Sequence, residues 1–335
     1  MKALLRECAT FTFSALGLPQ RIHRRGYANC VSIIMYHGVV ASEPDVPDWC
    51  FLQRERFTSQ MDYLARHFDV LPLGEAVARL SEDRVRQPTA VITFDDGFQN
   101  NHDVAFPVLK RLGLPFTIYL TTGLVDTPHT VWFCAILDAI GNTTLSSFQW
   151  RGECLDVGSA RARMRASVHL QQALKSLPHA QLLTEVDHIR KRLGCEAGVA
   201  AQPWSPFRML DTKSIRDLSD SGLVEFGAHT HTHAILSRLP PAQREQEITC
   251  SIREVERLTG RACRHFAYPN GGRHDYDGAS VALLKALRMT SAVTTLPGPN
   301  APGTDPFALR RYGVGAWTSM SRFKTMIHHA LHRAA

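Results

Sequence analysis

Two adjacent carboxylates follow an apolar, β-branched run in the stretch VITFDDGFQN, which covers residues 91–100. Asp95 and Asp96 would stand at the end of a buried strand, and Gly97 follows them. Like charges this close raise each other's pKa and cost stability unless something compensates for them. A cation is the simplest compensation, so this stretch predicts a metal site that draws further ligands from elsewhere in the chain.

A second cluster of metal-ligating residue types occurs in the stretch FGAHTHTHAILSRL (226–239), where His229, His231 and His233 alternate with threonines. In a strand all three side chains would face one way, whereas in a helical turn only the outer two would share a face. Because the residues that follow lack a period-two pattern and Pro240 comes soon after them, we expect the histidines on a turn after a strand. His229 and His233 then form an HxxxH pair, which is a metal-ligand spacing.

Two histidines and one aspartate would supply three protein ligands to a metal ion. Such a set leaves positions open for water and substrate, which is typical of a catalytic rather than a structural metal. Imidazole and carboxylate ligands suit Zn²⁺ and other divalent transition metals. The aspartate that does not bind the metal is held beside it and can accept a proton from water, so the pair divides into a ligand and a general base.

The elements around both motifs alternate between strand and helix. Buried-type strands are predicted at 30–39, 89–94 and 115–123, and amphipathic helices at 57–68 and 101–113. This alternation indicates parallel βαβ units and an α/β fold. Both motifs lie at the carboxyl ends of predicted strands, where such folds build their sites.

Length and composition describe an ordinary globular protein of 335 residues, 44% hydrophobic and 21% charged, with a net charge of +7. The basic residues are dispersed and no nucleic-acid-binding motif is present, so nucleic acid is not an expected partner. No apolar run is long enough to predict a transmembrane helix. Eight cysteines are spaced irregularly without a CxxC motif, which favours buried thiols in a reducing compartment over disulfides. We therefore expect a cytoplasmic protein, with peripheral attachment to the inner membrane as the alternative.

The motifs TFDDG, H-T-x-x-H and FAYPNG together resemble those of the polysaccharide deacetylases of carbohydrate esterase family 4, which carry the NodB-homology domain. The similarity runs from about residue 31 to 315 and is most specific in TFDDGF and HTHTH. It implies a distorted (β/α)7 barrel. It also implies that Asp95 is the general base and that Asp96, His229 and His233 bind Zn²⁺ or another divalent transition metal.

The pattern of elements along the chain predicts a division into three parts. Residues 1–29 form an N-terminal helical extension, 30–316 the deacetylase domain, and 317–335 a C-terminal basic helix. Residues from about 126 to 205 interrupt the strand–helix alternation with helical patterns and a polar stretch, which we interpret as an insertion in the domain.

One motif departs from the family pattern. Where the family usually has R-P-P-Y-G, this chain has A-Y-P-N-G over residues 267–271. The backbone N–H of Asn270 can still point at a tetrahedral oxyanion. Ala267 replaces the arginine that holds the base in the family, and Arg310 or Arg311 is the expected substitute.

The family's late histidine, its usual general acid, has no clear counterpart here. We expect His37, at the end of the first strand, to point into the mouth of the site, although a structural role is the competing interpretation. His328, His329 and His332 are expected on the surface of the terminal helix.

The stretches IMYHGV and VTTLPGPNAPGTDPFALRRYGV closely resemble deacetylases associated with exopolysaccharide synthesis. The expected function is a metal-dependent hydrolase that removes N-acetyl groups from a sugar in a polysaccharide or a lipid-linked glycan. Two alternatives stay open: a catalytically weak domain that binds glycan or acts as a scaffold, and an O-acetyl esterase. Three tryptophans in or next to the insertion, Trp132, Trp150 and Trp204, could stack on sugars, although burial is expected for at least one of them.

Overall fold

The computed structural model describes residues 11–44, 46–196 and 205–330. Its strands are β1 (Val31–Tyr36), β2 (Gly38–Val40), β3 (Phe51–Gln53), β4 (Asp69–Val70), β5 (Thr89–Phe94), β6 (Phe116–Leu120), β7 (Ser147–Trp150), β8 (Glu153–Asp156), β9 (Val224–Ala228), β10 (His265–Ala267), β11 (Ser291–Val293) and β12 (Arg311–Gly313). Its helices are α1 (Leu18–Gly26), α2 (Arg54–His67), α3 (Leu73–Ser81), α4 (Phe106–Leu112), α5 (Trp132–Asn142), α6 (Ala160–Leu174), α7 (His179–Arg192), α8 (Thr212–Asp220), α9 (Pro241–Thr259), α10 (Gly278–Ala286) and α11 (Met320–Ile327). None of these helices is long and apolar enough to cross a membrane.

Seven parallel strands form a nearly closed barrel in the order β11-β10-β9-β6-β5-β1-β12. A backbone hydrogen bond of 3.1 Å from Leu309 to Ala292 joins β11 to the segment that leads into β12 and so brings the two ends of the sheet together. Every residue of β1 and β5 is buried, because helices cover the outer face and side chains fill the interior. The predicted (β/α)7 barrel is confirmed.

The segment between β6 and α8 builds a second apolar cluster beside the barrel. Ile136, Leu170 and Ile189, one from each of α5, α6 and α7, are fully buried in it. The hairpin β7–β8 lies in the polar stretch for which the sequence predicted no strand. Its two-residue turn is Arg151–Gly152, both with positive φ, and the turn lacks the Asn-Gly or Asp-Gly pair that usually marks such a hairpin.

The chain after α11 turns inward, which contradicts the surface position expected for its histidines. His328 is 2% exposed and His329 is fully buried, whereas His332 lies outside the described residues. The helix ends at Ile327 and His329 adopts a left-handed φ of 58°, which directs both rings toward α1 and β1. His328 Nε2 lies 2.9 Å from the Tyr63 hydroxyl, and His329 Nε2 lies 3.1 Å from the Ser32 hydroxyl.

The cysteines in the described residues are all free, and four of them are buried: Cys30, Cys50, Cys134 and Cys263. Burial raises the pKa of the Cys30 thiol to about 11. This state agrees with the expectation of thiols rather than disulfides.

Candidate active site

The two aspartates lie on a tight turn at the carboxyl end of β5. Asp95 continues the strand ladder by donating its N–H to Tyr36 O at 3.0 Å, and the chain then reverses through Asp96 (φ 72°) and Gly97 (φ 84°). Aspartate tolerates this left-handed conformation better than most residues. Gly97 is required there, since a Cβ would lie 2.8 Å from Leu120 Cδ2. The DDG sequence thus turns the chain so that both carboxylates stay buried at the mouth of the barrel.

The histidines lie on the turn that follows β9, as predicted. Thr230 and His233 both have left-handed φ angles, near 60°. The carboxylate of Glu247, from α9, accepts hydrogen bonds from the N–H groups of His231 and Thr232 at 2.8 and 2.9 Å and from the Thr232 hydroxyl at 2.6 Å. Glu247 therefore holds in place the strained turn that carries the two outer histidines.

Asp96, His229 and His233 converge, with one ligand atom of each within 4.8 Å of the others. The Nε2 atoms of His229 and His233 lie 3.5 and 3.3 Å from Asp96 Oδ1. Both oxygens of Asp96 are buried and receive no hydrogen bond from the described part of the chain. A buried carboxylate without donors is costly, and a cation between these three groups would remove that cost, so the residues fit a divalent metal ion.

The orientation of His229 supports the same interpretation. Its Nδ1–H donates to the Ala267 carbonyl at 2.8 Å, which leaves Nε2 as the lone-pair donor toward Asp96. Burial lowers the pKa of His229 to about 4, so the ring is neutral at physiological pH, which is the form that binds metals. His231, the middle histidine, lies outside this cluster and contacts the Thr122 hydroxyl through Nδ1 at 3.1 Å.

Asp95 is paired with Arg311 in a fully buried, bidentate ion pair. The two N–H···O distances are 2.6 and 2.7 Å, and Arg311 Nε also donates to Thr294 O at 2.9 Å. Burial would raise the pKa of Asp95, but the Arg311 guanidinium outweighs it and lowers the pKa to about 2. Arg310 is exposed and takes no part in the site, because adjacent residues at the start of β12 face opposite sides of the sheet.

A pocket of about 450 Å³ opens above these groups. His37 and Asn270 both line it, together with Asp95 and the two metal-site histidines. Asn270 has a left-handed φ of 61°, and its carbonyl accepts a hydrogen bond of 2.6 Å from the Thr295 hydroxyl. The N–H of Asn270 has no hydrogen-bond partner in the described residues and is available to a ligand.

Several lining residues were missed by the sequence analysis. Trp49 lies in a loop before β3, and Gln171 and Lys175 come from the end of α6 in the expected insertion. Nothing in their local sequence marks them, since their position depends on how α6 packs over the barrel. Trp132 and Trp150 are only 4% and 5% exposed and belong to the core of the insertion. The burial expected for at least one of the three tryptophans is thus found for two, and neither of these offers a free stacking face. Trp204 lies outside the described residues.

The fold and the site together define the class of protein: a (β/α)7 barrel with a candidate metal centre. The Asp-His-His cluster and the carboxylate held by an arginine both lie at the carboxyl ends of its strands. Residues 82–292 match the family model of polysaccharide deacetylase, so the chain belongs to the polysaccharide deacetylase family. The resemblance stated from the motifs is thereby confirmed. Members of this family are hydrolases that act on acetylated polysaccharides.

Individual relatives agree with this assignment. The chain is 23% identical over 298 residues to the Bacillus subtilis protein YxkH, which carries the polysaccharide deacetylase name; the match covers 88% of this chain and 75% of YxkH. The Streptococcus pyogenes deacetylase PplD, solved in complex with acetate, matches 89% of this chain and 98% of its own at 16% identity and a TM-score of 0.59. IcaB from Ammonifex degensii matches 90% of this chain and 97% of its own at 19% identity and a TM-score of 0.58. These solved structures share the barrel fold.

Proposed function

We propose that this protein is a metal-dependent N-deacetylase that acts on an acetylated amino sugar in a polysaccharide or a lipid-linked glycan. One observation carries the proposal: a buried Asp96 without hydrogen bonds to its oxygens faces His229 and His233 beside an ionised Asp95 in an open pocket. A domain that only binds glycan would not need a second buried carboxylate with an arginine of its own.

Each residue of the pocket has a distinct role in this reaction. Zn²⁺ or another divalent transition metal, held by Asp96, His229 and His233, would polarise the acetyl carbonyl and make water more acidic. Asp95 accepts the proton that the attacking water loses, and Arg311 fixes the orientation of its carboxylate. Because the pKa of Asp95 is low, its contribution comes from its position and permanent ionisation rather than from a high proton affinity.

The remaining groups act on the carbonyl oxygen and on the leaving amine. The Asn270 N–H donates to the oxyanion that develops as water adds to the carbonyl. His37 delivers a proton to the amine nitrogen as the C–N bond breaks. Its Nδ1 is buried and has no hydrogen-bond partner in the described residues. The products are acetate, which keeps the oxygen of water, and a sugar with a free amine.

The test is acetate release from N-acetylglucosamine and its β-1,4- and β-1,6-linked oligomers, with an O-acetylated glycan as a parallel substrate. We expect release from the N-acetylated substrates, loss of activity after chelation and recovery with Zn²⁺. Asp95→Asn should keep the bound metal while kcat falls by about 100-fold or more, because only the proton acceptor is removed. Release from the O-acetylated glycan alone would assign the protein as an esterase. Binding of the oligomers without any release would favour the non-catalytic alternative.

A further inference from the structure

An open groove lies next to the catalytic pocket and has no role in the mechanism above. It has a volume of about 370 Å³ and is lined by Trp49, Trp317 and one face of α6. Trp49 lines the catalytic pocket as well, and its ring packs edge-on against His37 with 4.8 Å between the ring centroids. Trp49 is therefore a wall that the groove shares with the site where the proposed reaction occurs.

The groove exposes an unusual amount of apolar surface. Trp317 is 59% exposed and Trp49 is 42% exposed, and on α6 Val168 and Met164 are 49% and 36% exposed. Two large aromatic side chains and two aliphatic ones in water beside an active-site pocket mark a binding surface. Trp132 and Trp150, by contrast, are both buried.

The backbone segments that carry the two tryptophans are hydrogen-bonded to each other, although the rings are exposed. Trp317 is the third residue of a turn closed by a hydrogen bond of 2.9 Å from the Thr318 N–H to Gly315 O. The second residue of that turn, Ala316, donates its N–H to Trp49 O at 3.0 Å, which joins the two tryptophan-bearing loops. Gly315 allows this approach, since a Cβ there would clash with the Trp49 carbonyl oxygen. A preformed surface of this kind loses little conformational entropy when a ligand binds.

The polar residues of the groove indicate what it binds. Asp48, Arg165 and Gln172 line it alongside the apolar side chains. A sugar ring presents an apolar C–H face and a rim of hydroxyl groups, so it can stack on an aromatic side chain while its hydroxyls bond to charged and amide groups. Asp48 already accepts hydrogen bonds from the Cys50 N–H and the Gln171 amide, at 3.0 and 3.5 Å. The exposed Arg165 and Gln172 remain, and a lipid tail would cover them without pairing them.

We propose that this groove is a carbohydrate subsite that binds the sugar units next to the acetylated residue, with Trp49 and Trp317 as stacking surfaces. This inference rests on the proposed deacetylase function and makes it more specific: it assigns Trp49, Trp317 and one face of α6 to the recognition of the sugar units beside the acetylated one. The insertion then takes part in substrate choice through α6, which contributes Gln171 to the catalytic pocket and Val168 to the groove.

The test compares kcat/KM for N-acetylglucosamine with that for its linked tetramers, in both linkage series. Trp317 is the better target than Trp49, because Trp49 also contacts His37. We expect Trp317→Ala to lower the preference for tetramer over monomer about 10-fold and Trp317→Phe to retain most of it. Val168→Asp, on the α6 face of the groove, should lower the preference as well. Leu145→Ala is the matched control, because Leu145 is as exposed as Trp49, at 42%, and lines neither cavity.

Calorimetric titration with the tetramers separates this inference from the proposed function. If wild-type protein binds a tetramer without releasing acetate, and Trp317→Ala weakens that binding, the subsite stands and the deacetylase function fails. If acetate is released but Trp317→Ala and Val168→Asp keep the wild-type preference, or if no tetramer binds, the subsite is refuted. Binding to phosphatidylglycerol vesicles that Trp317→Ala abolishes, with an unchanged tetramer preference, would instead assign the groove to lipid.

Discussion

Replacing Arg311 tests the electrostatic basis of the site most directly. Arg311 is fully buried and donates to both oxygens of Asp95, to Thr294 O and, at 3.2 Å, to the Thr93 hydroxyl. Arg311→Met keeps much of the side-chain volume but leaves Asp95, itself 2% exposed, as a buried charge without its partner. Breaking a buried ion pair in this way costs about 3–5 kcal/mol. We therefore expect the free energy of unfolding of metal-free protein to fall by that amount.

The assay is urea denaturation at pH 7.5 in the presence of a chelator, arranged as a double-mutant cycle. Asp95→Asn/Arg311→Met should be more stable than Arg311→Met alone, because the second substitution removes the unpaired charge. The matched control is Arg310→Met, which should change stability by less than about 0.5 kcal/mol, since that side chain is exposed. A loss below about 1 kcal/mol for Arg311→Met, or a double variant no more stable than the single one, would refute the claim that Arg311 compensates the buried Asp95 charge.

Three further predictions concern the metal turn and the terminal histidines. His233→Ala should lose bound Zn²⁺ and His231→Ala should retain it, as measured by mass spectrometry of the metal content; the reverse result would overturn the ligand assignment. Glu247→Ala should weaken Zn²⁺ affinity about 10- to 100-fold in a competition titration. The control is Glu254→Ala, which removes an acid of the same helix that pairs with Arg257 and should leave the affinity unchanged. Equal affinities for the two variants would mean that Glu247 does not hold the turn. Burial lowers the pKa of His328 to about 3, below its unfolded value near 6.5, so the unfolded state binds more protons and this histidine costs about 2 kcal/mol of stability at pH 5. His328→Gln should therefore lose less stability than wild type between pH 7.5 and pH 5 in denaturant titrations, and equal losses would contradict the buried, neutral state.

The metal cluster could be predicted because its residues follow strands that the sequence makes recognisable. β5 is an uninterrupted β-branched and apolar run, and Asp95 and Asp96 are the first two residues after it, as His229 is the first after β9. The carboxyl ends of parallel strands meet at one end of a barrel, so residues far apart in the sequence converge there. The structure accordingly brings Asp96, His229 and His233 together, with Asp95 beside them.

The residues that surround this cluster could not be predicted as precisely. The sequence left Arg310 and Arg311 as equal candidates, because β12 is only three residues long and shows no alternation that would fix which side chain faces inward. The tryptophans pose a similar problem. Whether a tryptophan side chain is exposed depends on which surface packs against the insertion, and this cannot be predicted from the composition. Trp132 lies on an almost entirely apolar helix and is buried, whereas Trp317 follows a strand end in a tight turn and is exposed.

The arginine that holds Asp95 illustrates why a missing motif residue does not imply a missing function. Ala267, at the end of β10, occupies the position where the family pattern has arginine, and its carbonyl orients His229 instead. The charge on Asp95 is compensated from β12, which lies beside β1 at the other end of the sheet from β11 and β10 and meets β11 where the barrel closes. What Asp95 requires is a guanidinium within hydrogen-bond distance, whatever strand carries it, because the attraction depends on distance and burial. Several strands end near Asp95 at the mouth of a closed barrel, so the supporting residue can move between strands while the geometry around the carboxylate is kept. The departure from the motif at Ala267 is for this reason no argument for a catalytically inactive domain.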